Sequence, residues 1–271
     1  MPDDVLTRNN VRVFGRGPRP LVFAHGFGCD QTMWRLVTPA FEDEFQIVLF
    51  DYVGHGKSDH GAYDADRYAT LGGFAADLLD IVRALDLHDV VLVAHSVSSM
   101  IGVLAINEEP ERFERIVMVG PSPRYLNDLP DYHGGFDRPD IEGLLDMMDK
   151  NTVGWASTLA PMVAKNPDRP EVAAELNESF CATDPAAARQ FAAVTFLSDN
   201  RADLAQLAVP SLVLQCADDA IAPREVGEFV ARTAPNSTFR LLAATGHCPH
   251  LSHPDETIRA IREYLSGAVP A

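Results

Sequence analysis

Six short β-branched runs, each followed by a turn signal, constrain the fold of this chain more than any other feature. They are VRVF at 11, LVFAHG at 21, QIVLFD at 46, VVLVAH at 90, RIVMVG at 115 and SLVLQC at 211. All but VRVF, which Arg12 interrupts, are apolar at successive positions, so those five expect cover on both faces. Helix-length amphipathic stretches separate them. In TLGGFAADLLDIVRALDL, from Thr70, the residues Leu71, Phe74, Leu78, Ile81, Val82 and Leu85 share one face. Strands of this kind alternating with helices predict an α/β fold, a mostly parallel central sheet with helices on both faces. Ligands then gather at the carboxyl ends of the strands. A chain of 271 residues is long enough to build this as one unit.

The alternation lapses between about Pro123 and Phe196. That stretch reads as helices: IEGLLDMMDK, TVGWASTLAPMVAK, PEVAAELNESF and DPAAARQFAAVTFL. A helical insertion between two strands of a parallel sheet sits over the strand ends, so it is a candidate lid. The expected organisation is a core in two parts, 1–122 and 198–271, with the lid insertion at 123–197. The core resumes with SLVLQC, a helix after Pro223, FRLLAA at 239 and a last helix from Asp255 to Leu265.

Charge and cysteine usage narrow the partners. The formal charge is −17, from 22 Lys and Arg against 39 Asp and Glu. Such a surface repels phosphate backbones and anionic headgroups, so neither nucleic acid nor membrane is expected. No apolar run approaches the roughly 18 residues of a membrane span. The opening MPDDVLTRNN is acidic and polar, unlike a secretory or transit segment, and a cytoplasmic location is expected. Cys29, Cys181, Cys216 and Cys248 lack paired spacing and read as reduced thiols. The high net charge points towards a monomer.

Two nucleotide motifs fail on inspection. DYVGHGKSD ends like a phosphate-binding loop, but the position of its first glycine is Asp51. HGFGCD has two glycines and no third, so the dinucleotide fingerprint is absent. No cofactor is expected.

The stretch VLVAHSVSSMIG runs from a strand into a helix with Ser96 at the turn. Ser96 either caps the helix or is presented there as a nucleophile. The usual nucleophile turn is G-x-S-x-G, and here Ala94 and Ser98 stand in the glycine positions. Both are small enough for the turn to be built. A serine nucleophile needs a base, and the base needs an acid. In α/β hydrolases these follow in the order Ser, Asp or Glu, His. LQCADDAIAP supplies Asp218 and Asp219 after one strand, and AATGHCPHLSHP supplies His247 after the next. The acid of such folds commonly stands four residues before a helix-starting proline, which here is Pro223 and selects Asp219. The loop His25-Gly26-Phe27-Gly28 follows an early strand, where the N–H of Phe27 can join that of Val97 as an oxyanion hole. The cluster His247-Cys248-Pro249-His250, with His253 beyond, also suits zinc. Against a metal, Pro249 prevents an i, i+4 helical face and no second group of matched spacing appears in the sequence.

With those residues named, the chain resembles the RsbQ-like group of α/β hydrolases, bacterial stress-response regulators related to the plant karrikin and strigolactone receptors. The resemblance runs through HGFGCDQTMW, FDYVGHGKSD, HSVSSMIG, VMVGPSPRYLND, NTVGWA, LQCADDAIAP and GHCPHLSHPDETI. It departs at Ala94, where glycine is usual. It implies a four-helix lid over an apolar pocket, with Ser96, Asp219 and His247 as triad. By matched position it implies that His25, Phe27, Tyr125, Phe136, Leu144, Trp155, Leu159, Phe196 and Ile221 bind substrate. The activity it implies is hydrolysis of a small hydrophobic ester or lactone. An alternative is a ligand sensor with slow hydrolysis that activates a serine phosphatase or other signalling protein.

Overall fold

The structure, a computed structural model, describes residues 2–267. Seven strands form one sheet: β1 (Arg12–Phe14), β2 (Arg19–Ala24), β3 (Phe45–Leu49), β4 (Val90–His95), β5 (Phe113–Val119), β6 (Ser211–Asp218) and β7 (Ser237–Thr245). Their order across the sheet is β1-β3-β2-β4-β5-β6-β7. Only the edge strand β1 runs antiparallel, against β3, and every other pairing is parallel. This is the mostly parallel α/β sheet expected from the strand runs, and it fits the α/β-hydrolase fold that the resemblance implies.

The reason lies in the side-chain period of two. Val22, Ala24, Leu92, Ala94, Ile116 and Met118 enter the core on one face. Their neighbours Leu21, Phe23, Val91, Val93, Val117 and Val119 enter the core on the other. After a short first helix, α1 (Pro2–Arg8), the first face is covered by α2 (Leu71–Ala84) and α3 (Val97–Glu108), from which Phe74, Leu78, Ile81, Val82 and Ile101 are fully buried. Against the second lie Trp34, Phe41 and Ile261, the last from the C-terminal helix Pro254–Leu265.

Between β5 and β6 come four long helices, Arg138–Lys150, Thr152–Ala164, Pro170–Ala182 and Pro185–Leu197, ahead of one short one. We call the four long ones L1 to L4. They carry a separate apolar cluster that includes Ile141, Trp155, Leu176 and Phe196, joined by Phe27 and Ile221 from the strand ends. No helix among the described residues is long and apolar enough to cross a membrane.

Three short helices escaped the pattern reading: Pro2–Arg8, Arg201–Leu204 and Pro249–Ser252. The first packs against α2 through Arg8, whose guanidinium donates to the buried Asp77 at 2.9 Å. Asp77 also accepts from Arg67 and from the Tyr68 hydroxyl.

Candidate active site

Ser96 stands between β4 and α3 with φ 57° and ψ −124°, a conformation L-residues rarely adopt. Its N–H donates to the Val119 carbonyl at 2.8 Å, which pins the turn to the neighbouring strand. The side chain makes no capping hydrogen bond. Of the two roles open to Ser96, geometry therefore disfavours the cap, because a strained serine that does not cap its helix has been positioned for something else.

Its Oγ lies 2.8 Å from Nε2 of His247, and Nδ1 of the same ring lies 2.7 Å from Oδ2 of Asp219. The other carboxylate oxygen of Asp219 accepts N–H groups from Ile221, at 2.8 Å, and Ala222, at 3.1 Å. With the carboxylate thus held as an acceptor, Nδ1 of His247 carries the proton and Nε2 is free to accept from Ser96. Asp218 has a different setting. It ends β6, its side chain is 60% exposed, and its carboxylate pairs with Lys165 at 2.5 Å.

His247 follows a glycine that no other residue can replace without strain. Gly246 has φ +80°, and a Cβ there would meet the Ala164 carbonyl oxygen at 1.9 Å. The tight approach lets the His247 N–H donate to the Val163 carbonyl at 2.8 Å. The residue bearing the ring is thereby tied to the end of helix L2.

Ser98 replaces the second elbow glycine and is fully buried. Its hydroxyl donates to the His25 carbonyl and accepts from the Tyr52 hydroxyl, 2.8 Å away. The elbow is thus bonded to the loop that carries Phe27. His25 differs from its expected place in the pocket: it lines neither chamber described below. Its Nε2 accepts the Tyr52 N–H at 3.1 Å, so Nδ1 bears the proton and donates to the Gly26 carbonyl at 2.9 Å. Both ring nitrogens are spent on backbone, and burial keeps this imidazole neutral by lowering its pKa. A histidine after a strand gives no sequence signal that would separate this bracing role from contact with a ligand.

Two chambers open above the strand ends. The inner one, about 30 Å³, touches Ser96, His247, Phe27, Tyr125, Leu159, Phe196 and Ile221. The outer one, about 500 Å³, touches Phe136, Leu144, Trp155, Leu159, Phe196 and Ile221. Leu159, Phe196 and Ile221 face both and form the wall between them. Phe27 sits among lid aromatics, with ring centroids 5.9 Å from both Trp155 and Phe196. The Tyr125 hydroxyl reaches within 3.3 Å of Ser96 Oγ, and burial pushes its pKa up, so it is a neutral donor.

Residues not named from sequence also line the chambers. Leu176 and Phe180 reach the inner one from L3, where Val172, Leu176 and Phe180 are buried at i, i+4 spacing. That stripe was readable, but which cavity it would face was not. Met147 and Met162 line the outer chamber from L1 and L2.

Residues 21–260 match the family described as Alpha/beta hydrolase family. Strigolactone esterase D14 of Arabidopsis thaliana is 37% identical over 263 residues, covering 97% of this chain and 98% of that protein. Karrikin insensitive 2 receptor CA of Petunia hybrida is 34% identical, covering 95% of each. Among solved structures, the hydrolase olei00960 from Oleispira antarctica superposes with a TM-score of 0.96 at 42% identity, covering 98% of this chain and 97% of that one. The resemblance to this group read from the sequence motifs is borne out by these relatives.

Proposed function

The chain belongs to the alpha/beta hydrolase family, and from that premise we propose that it cleaves a small hydrophobic ester or lactone, with Ser96 as nucleophile, His247 as base and Asp219 as acid. The observation that carries this reading is the unbroken chain of 2.7 and 2.8 Å contacts from Asp219 through His247 to Ser96, ending at an apolar chamber.

Nε2 of His247 takes the Ser96 proton as Oγ attacks the carbonyl carbon. Asp219 stabilises the imidazolium without taking its proton. The N–H groups of Phe27 and Val97 receive the oxyanion, Phe27 from the loop after β2 and Val97 from the first turn of α3. His247 then protonates the leaving oxygen, and water attacks the acyl group by the same route in reverse. In a lactone the leaving alcohol stays part of the acyl chain, and the second step breaks only the Ser96 Oγ–acyl bond to release one hydroxy acid. Intact-mass spectrometry after brief exposure to short activated esters and butenolide lactones tests the assignment. An acyl adduct in the wild type that is absent from Ser96→Ala is expected, and hydrolysis retained in Ser96→Ala would refute it.

A second reading is favoured by the bond between the His247 N–H and the Val163 carbonyl, which couples the base to the lid. Two relatives are named as an esterase and a receptor. In this reading, occupancy of the chamber or slow hydrolysis moves the lid, and a cytoplasmic protein partner, such as a serine phosphatase, reads the change while the chain itself is a monomer. Adduct lifetime separates the two: seconds or less for a turning-over esterase, minutes or more for a sensor.

A further inference from the structure

Three buried side chains that hydrolysis leaves unused meet beside His247. They are His95 at the end of β4, Cys248, and His250 in the short helix Pro249–Ser252. One ligand atom from each lies within 4.8 Å of the other two. Cys248 Sγ is 4.0 Å from His95 Nε2 and is in no disulfide. His250 is fully buried, yet neither of its ring nitrogens has a hydrogen-bond partner among the described residues, and Nδ1 of His95 also lacks one. Its ring rests 4.5 Å from both Trp34 and His95, a setting that holds the imidazole in place without satisfying it. A buried polar atom left unpaired calls for an explanation such as a bound ion. Neither ring has a carboxylate among its hydrogen-bond partners in the described residues, so each imidazole can offer one nitrogen lone pair.

We propose that His95, Cys248 and His250 form a three-coordinate site for a soft monovalent cation, Cu(I). Charge and donor type select the ion. A thiolate and two neutral imidazoles around a monovalent ion leave the buried cluster with no net charge, whereas a divalent ion leaves one uncompensated. Thiolate favours soft ions, and zinc prefers a fourth ligand that this set does not supply. At bond lengths like those of zinc, a trigonal ion holds sulfur and nitrogen about 3.7 Å apart, against 4.0 Å between Cys248 Sγ and His95 Nε2. The sequence masks the site because the segment after His247 provides only two of the donors, and the third comes from 153 residues away.

Binding forms a Cu–S bond as the Cys248 thiol releases one proton to solvent, with no change of oxidation state. Nε2 of His95 now donates to the His247 carbonyl at 2.9 Å. To ligate, it passes that proton to Nδ1, which is unpartnered. The hydrogen bond to His247 is then lost, so a loaded site disturbs the base and suppresses hydrolysis. Cys248 and His95 both border the inner chamber.

The test titrates the reduced protein with Cu(I) anaerobically, against a colorimetric Cu(I) chelator. One ion per chain is expected, with X-ray absorption of the wild type showing one sulfur and two imidazole nitrogens. Cys248→Ser and His250→Phe each weaken binding by at least about tenfold, and Cys181→Ser, which removes an exposed thiol, does not. Failure of the wild type to withdraw Cu(I) from the chelator, or a shell with two sulfurs or none, overturns the site. The shell is read on the unaltered protein, so a variant that misfolds decides nothing by itself. A loaded protein that hydrolyses as fast as the apo form would overturn the coupling to His247.

Discussion

The hydroxyl of Tyr125 lies 3.3 Å from Oγ of Ser96, while that same Oγ lies 2.8 Å from Nε2 of His247. Ser96 has a single proton, and His247 Nε2 is the acceptor for it, so the phenol must be the donor to Oγ. Ser96 Oγ thus has an acceptor on one side and a donor on the other. Tyr125→Phe removes the donor but keeps the ring, which packs 5.1 Å from Phe196. The expected result is a fall in the acylation rate of about tenfold, with a stability change of about 1 kcal/mol or less. Single-turnover kinetics with an activated ester, beside urea unfolding, check both. An unchanged acylation rate would leave Tyr125 as lining only.

Asp219 and Asp218 are adjacent in sequence and opposite in setting. Asp219→Asn keeps the shape but no longer fixes the tautomer of His247, and a loss of about 10⁴-fold in kcat is expected. Asp218→Asn breaks only an exposed pair with Lys165, so activity stays near wild type and stability moves by about 0.5 kcal/mol or less. Steady-state kinetics of both variants decide the assignment, and a reversed ranking would move the acid to Asp218.

The contact of Asp219 with His247 is legible in the sequence because Pro223 counts back to Asp219, and a helix start is a local signal. The strands were legible for a similar reason, since runs such as VVLVAH announce burial on both faces without help from distant residues. What pattern could not give depended on contacts far apart in the chain. Nothing near His25 indicates that its two nitrogens are taken by Tyr52 and Gly26 backbone. Nothing near Cys248 indicates that His95 completes a donor set with it. The wall of Leu159, Phe196 and Ile221 joins two lid helices to a loop after β6, and its position follows from how the lid sits and not from any period.

Acid stability follows from the buried imidazoles near the oxyanion loop. His55 is fully buried against Phe191, and burial, then the neighbouring His25, lowers its pKa to about 3. His25 is lowered as well, by burial, against the pull of Asp51, the Gly26 carbonyl and Asp30, while His60 adds to the lowering at His55. The unfolded chain takes up protons below pH about 6.5 that these folded rings refuse, so it is favoured as pH falls. Stability is then complete above pH about 6.5 and declines on acidification by up to about 1.4 kcal/mol per pH unit per ring, for His55 down to about pH 3. Urea midpoints at pH 7.5, 6 and 5 should fall in that order, and more gently in His55→Gln. A flat profile would contradict the neutral burial of both rings.

Leu159 separates the chambers from helix L2 and is 5% exposed. Leu159→Ala removes part of the wall and joins about 30 Å³ beside Ser96 to about 500 Å³ beyond it. Stability should drop by about 2–5 kcal/mol if the cavity does not collapse. Selectivity should shift in return: the ratio of kcat/KM for a hexanoyl over an acetyl ester should rise. Measuring that ratio in both proteins tests the wall, and an unchanged ratio would mean that acyl length is limited elsewhere.

Ser98→Gly gives a result opposite to what motif matching suggests. The change restores the glycine of the G-x-S-x-G turn, so that pattern alone favours improvement. The structure argues the reverse, because Ser98 donates to the His25 carbonyl and accepts from the buried Tyr52 hydroxyl. Glycine leaves both groups without this partner and sits in the first turn of α3, where it is a poorer helix former. A loss of about 2 kcal/mol or more follows from the orphaned groups and the helix penalty together. Activity should fall too, since the bond is what holds the loop of Phe27 to the elbow that bears Val97, and an oxyanion hole acts only when its donors are held in place. Ser98→Thr can keep the hydroxyl, so partial rescue of kcat by threonine is expected. Comparing the three proteins by kcat and by urea unfolding tests whether Ser98 braces the site, and a glycine variant as active as wild type would show that it does not.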